Sequence, residues 1–253
     1  MHLIPWIFNN DEVEAYTVPA YSDNHNNNMS LTNGNYEEVM RNRWEVAKKL
    51  GTTLDHMVAQ NQIHSVNFKE VTENDGGKGI YDNDDRIPEC DAMYTRASNL
   101  ALWVFHADCC PVLLYDPSQH LIAAIHSGWG GTVKGITTKL LAHLIKNEGC
   151  DPHQMYAYIG PTIEKRNFEA MDDIIDQVKC LPFDTSKYYE KTDATHYHLD
   201  HKGLILRQLM NAGLKRENIE VSPYCTMEHD DLFFSYRKTK TQNRNISLIR
   251  LKK

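Results

Sequence analysis

The chain has no excess of positive charge: 27 Lys and Arg stand against 34 Asp and Glu, a formal net charge of −7 with a pI near 6.0. A nucleic-acid surface calls for a basic stripe, so that class is excluded, and the composition leaves room only for a small local basic pocket. There is no run of about 18 apolar residues, the length a bilayer-crossing helix needs. The opening, MHLIPWIFNN, lacks both the basic and the long apolar parts of a secretion signal. A soluble protein kept in the cytoplasm, without membrane contact, is the expectation. Cysteine is sparse: of six, only Cys109 and Cys110 are neighbours, which is not the spacing of a secreted disulfide framework and agrees with a reducing compartment. Internal repeats, low-complexity tracts and an evident linker are also missing, so 1–253 reads as a single domain able to bury its own core.

What the sequence does have is strand and helix patterns in irregular order. GNYEEVMRNRWEVAKKLG places Tyr36, Val39, Met40, Trp44, Ala47 and Leu50 on one helical face and stops at Gly51. Arg43 falls off that face, where a solvated charge is the default. IHSVNFKEV reads as a strand, followed by TENDGGKGIYDNDDRIPE, a loop long enough to be functional or mobile. AMYT, NLALWVF, PVLLY, HLIAAIH, MYAYIG, LFFSYR and NISLIRL are strand-like. MDDIIDQVKC and HKGLILRQLMNAGL are helical, as is a segment from near Thr132 to Gly149 that would bury Ile136, Leu140, Leu144 and Ile145. The order points to an α/β (α+β) layered fold, mixed sheets flanked by helices, without a regular βαβ repeat.

Chemistry gathers at strand ends. His64 in NQIHS, Cys109 in HADCCP and His126 in IHSGWGG each lie where a strand runs into polar or glycine-rich sequence. Two imidazoles and a thiolate suit zinc, and three protein ligands with a fourth position open is the pattern of catalytic sites. Pro111 and Gly128, Gly130 and Gly131 would end strands and bring backbone close to a ligand. Taken singly, each ligand reads as an ordinary strand or core residue; only the three together carry weight. Alternation allows one of Cys109 and Cys110 to face such a site and does not choose between them. Asp108 is either a turn residue or a proton shuttle or ligand-orienting acid. His196 and His198, in HYH, form a lone H-x-H, a weak metal signal in a chain with 13 histidines.

The blocks QIHS, DAMYT, HADCCPVLLYDP, IAAIHSGWGGT, AYIGPTI and CTMEHDDLFFSYRK occur in an order that resembles the multicopper polyphenol oxidoreductase (laccase) domain family over most of the chain. The resemblance implies a YfiH-like single domain and a zinc-containing purine nucleoside phosphorylase. Implied substrates are adenosine and inosine with phosphate, alongside methylthioadenosine phosphorolysis and adenosine deamination. It places the metal ligands on His64, Cys109 and His126, leaving Cys110 as a packing residue. It also makes Arg43, preceded by Asn42, the candidate contact for phosphate or substrate, with Gly128 at the substrate site. The chain departs from the family pattern at Gly130, where many members carry arginine, in GPTIEKRNFEA, where cysteines are replaced, and at Glu228, where CTYC has its second cysteine.

Three other readings compete. Copper-dependent phenol oxidation fits the family's older label, but four-electron oxygen chemistry normally draws on several H-x-H pairs and this chain has one. A Cys109–His126 hydrolase would need no metal. A non-enzymatic metal-binding protein would need a fourth protein ligand, and the sequence offers none that convinces. The partners expected are therefore small molecules, purine nucleosides and phosphate, acting on a monomer or homodimer.

Overall fold

The computed structural model describes residues 1–22, 25–32 and 34–252. Period-two alternation sorts the side chains of its strands into layers. Along Cys110–Asp116, residues Cys110, Val112 and Leu114 join one apolar cluster while Leu113 and Tyr115 join another. Both faces of this strand are buried, which is why PVLLY reads as an unbroken apolar run. It lies inside a six-stranded sheet ordered Ile219–Val221, Tyr156–Ile159, Cys110–Asp116, Leu121–Ser127, Ala92–Thr95, Phe68–Glu70. A five-stranded sheet runs Ile4–Pro5, Val13–Val18, Asn245–Leu251, Ala101–His106, Met57–Ala59.

The two sheets share an inner core, in which Leu102, Val104, Ile249 and Leu251 meet Leu113, Tyr115, Ile122 and Ala124. Outside the five-stranded sheet lies the helix Tyr36–Lys49, and outside the six-stranded sheet lie Ile136–Asn147 and His201–Asn211. The result is a four-layer α/β/β/α stack, mixed sheets flanked by helices. A three-stranded sheet, Glu169–Met171, His196–Leu199 and Tyr189–Lys191, packs with the helix Asp172–Lys179 around a smaller cluster. No helix of the described residues is long and apolar enough to cross a membrane.

Several elements differ from the sequence expectation, each for a local reason. Helix Tyr36–Lys49 turns Arg43 inward, while Tyr36 and Trp44 are 56% and 49% exposed. The Arg43 guanidinium is fully buried because it donates to the carbonyls of Met29, Gly79 and Ile80 and lies 5.5 Å over the Phe105 ring. The solvated charge expected there is therefore a core residue. The helix expected from Thr132 starts at Trp129 and breaks at Gly135, whose φ of +82° suits glycine, into Trp129–Lys134 and Ile136–Asn147. IHSVNFKEV pairs as a strand only over Phe68–Glu70, since the amides of Ile63, His64 and Ser65 bond a carboxylate instead of a neighbouring strand. LFFSYR is not a strand: Asn245 takes both the amide and the carbonyl of Phe234. The polar opening hides a true strand, Val13–Val18.

Candidate metal centre and its cavity

Cys110 is the first residue of its strand and is fully buried in the core. Cys109 sits one residue earlier, off the ladder, and lines a cavity of about 460 Å³. His126, one residue from the end of Leu121–Ser127, pairs with Pro111 across the sheet and so arrives beside Cys109. His64 reaches the same point from a loop, with φ at +60°, a conformation a non-glycine residue holds only when its surroundings impose it.

Asp91 imposes it. This fully buried carboxylate accepts from the amides of Ile63, His64 and Ser65 at 3.3, 3.0 and 2.6 Å and from the Ser65 hydroxyl at 2.8 Å. Its Oδ1 also lies 2.8 Å from His126 Nδ1, which leaves Nε2 of that ring facing the thiol. A histidine ligand whose other ring nitrogen is held by a carboxylate is the usual arrangement in metal sites.

The donor atoms of His64, Cys109 and His126 lie within 4.8 Å of one another, with His64 Nε2 3.8 Å from Cys109 Sγ. Tetrahedral nitrogen and sulfur ligands at ordinary zinc distances stand about 3.5 Å apart, so small side-chain rotations suffice for the residues to fit one ion. No other His, Cys, Asp or Glu among the described residues joins this group, and all three of its members line the cavity. Burial by itself pushes the Cys109 thiol up, but the charge and hydrogen bonds of His126 and His64 together outweigh it and hold the thiol below its usual range. Burial likewise opposes the charged His126 ring, and Cys109 and Asp91 together hold it above the ordinary histidine value. The trio thus offers a thiolate, the form that binds metals.

Gly128 packs behind the trio. A Cβ there would meet His64 Cδ2 at 2.9 Å and Cys109 Sγ at 3.2 Å, so any side chain would push the ligands apart. Gly130 has open space around it, whereas Glu228 is paired with Arg166 and Asn167. Asp108, with φ at +89°, lines the cavity, its carboxylate accepting from Thr226 Oγ1 and the Arg237 amide, both at 2.6 Å. His196 bonds Asp193 at 2.9 Å and, like His198, stands outside the metal-capable group.

Asn42 and Arg43 are not part of the cavity wall. Asn42 donates to the carbonyls of Asn26 and Asn28, and Arg43 is occupied by three more. The cationic groups that do line it are Arg86, Arg237 and Arg244, none ion-paired with a described carboxylate. Sequence reasoning did not single out Asp91 or these arginines. An acid directly ahead of the apolar strand AMYT was the available signal for Asp91; the arginines gave none.

The family described as multi-copper polyphenol oxidoreductase laccase matches residues 16–252. Purine nucleoside phosphorylase YlmD of Bacillus subtilis (strain 168) is 34% identical over 216 residues, 85% of this chain and 78% of that protein. Purine nucleoside phosphorylase SAR1163 of Staphylococcus aureus (strain MRSA252) is 32% identical over 204 residues, covering 81% and 76%. Among solved structures, the hypothetical protein YfiH of Bacillus licheniformis superposes with a TM-score of 0.91 at 32% identity, covering 94% of this chain and 92% of its own. YlmD from Geobacillus stearothermophilus gives 0.91 at 29% identity, covering 96% and 93%.

Proposed function

The chain belongs to the multi-copper polyphenol oxidoreductase laccase family, and from that premise we propose that it is a zinc-dependent purine nucleoside phosphorylase. It cleaves adenosine and inosine, and methylthioadenosine as a related nucleoside, with phosphate to give a sugar 1-phosphate and free base. The observation that carries the reading is one cavity holding both a three-donor metal set with an open position and three arginines that pair with no carboxylate among the described residues. Its volume of about 460 Å³ falls in the range that encloses a small ligand. Relatives named as purine nucleoside phosphorylases support the same substrate class.

Zinc, when bound by His64, Cys109 and His126, supplies Lewis-acid polarisation of a substrate oxygen. The protein's own groups do the rest. Arg244 is partly buried, which lowers its pKa, while Cys109 and Asp108 oppose that shift by their charge. A guanidinium within electrostatic reach of both suits a phosphate dianion held beside the reacting centre, with Arg237 at the same wall. Asp108, fixed by two donors, is aimed to take a hydrogen bond from the ribose or the departing base. Phe105, Trp129, Phe168 and Tyr236 give the cavity the apolar faces a purine stacks on. One three-donor set serves one ion, which favours a mononuclear zinc site over the several coppers that oxygen reduction requires.

The test is chromatographic separation of products from adenosine and from inosine, with and without inorganic phosphate, using zinc-loaded protein. Adenine and hypoxanthine appearing only with phosphate is the expected result. Inosine formed from adenosine without phosphate would make deamination the principal chemistry and overturn the reading.

A further inference from the structure

Among the described residues, ten buried side-chain nitrogen or oxygen atoms lack a hydrogen-bond partner, and five belong to the wall of this cavity: Gln60 Nε2 and Oε1, Arg86 Nε, His106 Nδ1 and His201 Nδ1. An unpaired buried polar group is destabilising, and native proteins carry few. Half of them gathered at one cavity marks groups completed by what the cavity receives.

Gln60 stands out. It is fully buried just after the strand Met57–Ala59, and neither end of its carboxamide has a partner. Gln62, two residues on, shows what a merely structural glutamine does here: its Nε2 and Oε1 both bond the backbone of Phe105 at 2.8 Å. Gln60 bridges Ile87, which brings the next residue back, Arg86, alongside; the Arg86 guanidinium lies 5.4 Å over the Phe105 ring. Arg86 is influenced chiefly by burial and then by Asp82 and Asp85, whereas Arg244 is the arginine in electrostatic reach of Cys109 and Asp108. The cavity wall therefore carries, besides Arg237 and Arg244, a mixed donor and acceptor group at Gln60 and Arg86.

We propose that Gln60, with Arg86 beside it, reads the heteroatom edge of the purine base and is the specificity-determining residue of this site. The inference rests on the nucleoside reading above. A carboxamide supplies a donor and an acceptor side by side, the complement of a purine edge that presents an acceptor next to a donor, and such paired contacts discriminate bases well.

Gln60→Leu and Gln60→Met keep the volume and remove the polar atoms. Thermal midpoint, the KM for inosine, the KM for phosphate and calorimetric binding of inosine would be measured for both and for the wild type. Expected are midpoints equal to or above wild type, because an unpaired amide leaves the core, with kcat/KM for inosine down roughly 10- to 100-fold through the nucleoside KM. The phosphate KM stays within about twofold by the same logic, since the lost contacts do not touch phosphate. Wild-type nucleoside KM in either variant, or losses that track a lowered midpoint in both, would overturn the proposal. If the wild type does not phosphorolyse inosine, the functional reading fails and calorimetry decides this one separately. Inosine binding weakened in the variants supports Gln60 as the reader; equal binding, or none to wild type, refutes it.

Discussion

Replacing Asp91 with asparagine keeps the shape of the side chain and removes its charge. The carboxylate serves two groups of donors, Oδ1 taking His64 N and His126 Nδ1, Oδ2 taking the Ile63 and Ser65 amides and the Ser65 hydroxyl. An amide has one oxygen, so its NH2 must face one of those groups. If it faces the first, the His64 amide loses its acceptor and His126 must accept at Nδ1, which moves the ring proton to the nitrogen that faces Cys109. If it faces the second, three donors are left without an acceptor. One orphaned buried donor plus the change from charged to neutral bonds sums to about 2–4 kcal/mol of lost stability. Zinc affinity should fall roughly 10- to 100-fold, the usual effect of removing a ligand-orienting carboxylate. Urea unfolding of the metal-free protein gives the first number and competition against a chromophoric chelator the second. An Asp91→Asn protein within about 0.5 kcal/mol of wild type, binding zinc equally well, would refute the claim that Asp91 organises the site.

Acid should act through the same group. Burial raises the Asp91 carboxyl, but its bonds from His126 and Ser65 outweigh that and hold it below the usual aspartate range. Its stabilisation is therefore complete above an unfolded pKa near 3.9 and is lost as pH falls from there through the folded value, so the stability gap between wild type and Asp91→Asn should narrow in that acidic window. Because Asp91 also helps hold His126 protonated, the gap should narrow again as pH rises from about 6.5 through the His126 value of about 9. Chemical unfolding at stepped pH values checks this; a gap already closing near pH 6 would contradict it. Gly128→Ala should weaken zinc binding at least tenfold while moving the metal-free unfolding midpoint little, because its Cβ strikes the ligands and not the core. An alanine variant with wild-type zinc affinity would show that the ligands move aside freely. Arg43→Lys should cost about 1–3 kcal/mol, since an ammonium cannot reach the three carbonyls a guanidinium spans, and should leave the KM for phosphate unchanged. A raised phosphate KM at wild-type stability would return Arg43 to the anion site.

Local pattern carried much of this fold into view: the strands AMYT, HLIAAIH and NISLIRL and the helix after Asn35 are visible as periodicity. What stayed hidden depends on contacts between distant segments. Alternation could not decide between Cys109 and Cys110 because it does not locate where a strand begins; Cys110 is first on the ladder and Cys109 is off it. Arg43 was placed in solvent because a helical wheel treats charge as surface, whereas carbonyls of Met29, Gly79 and Ile80 gather round it from other loops. Asp91 acts on residues 63–65 and on His126 at once, a relation no window of sequence contains. The three cavity arginines come from positions 86, 237 and 244, and only folding brings them to one cavity.

The most direct test of the account strips the protein of metal and adds back zinc or copper in measured equivalents, following hypoxanthine release from inosine and phosphate beside oxidation of a phenol. Phosphorolysis restored at one equivalent of zinc, absent in Cys109→Ser, with no phenol oxidation at any copper loading, is the predicted result. Phosphorolysis that survives complete chelation, or phenol oxidation that grows with several equivalents of copper, would contradict it.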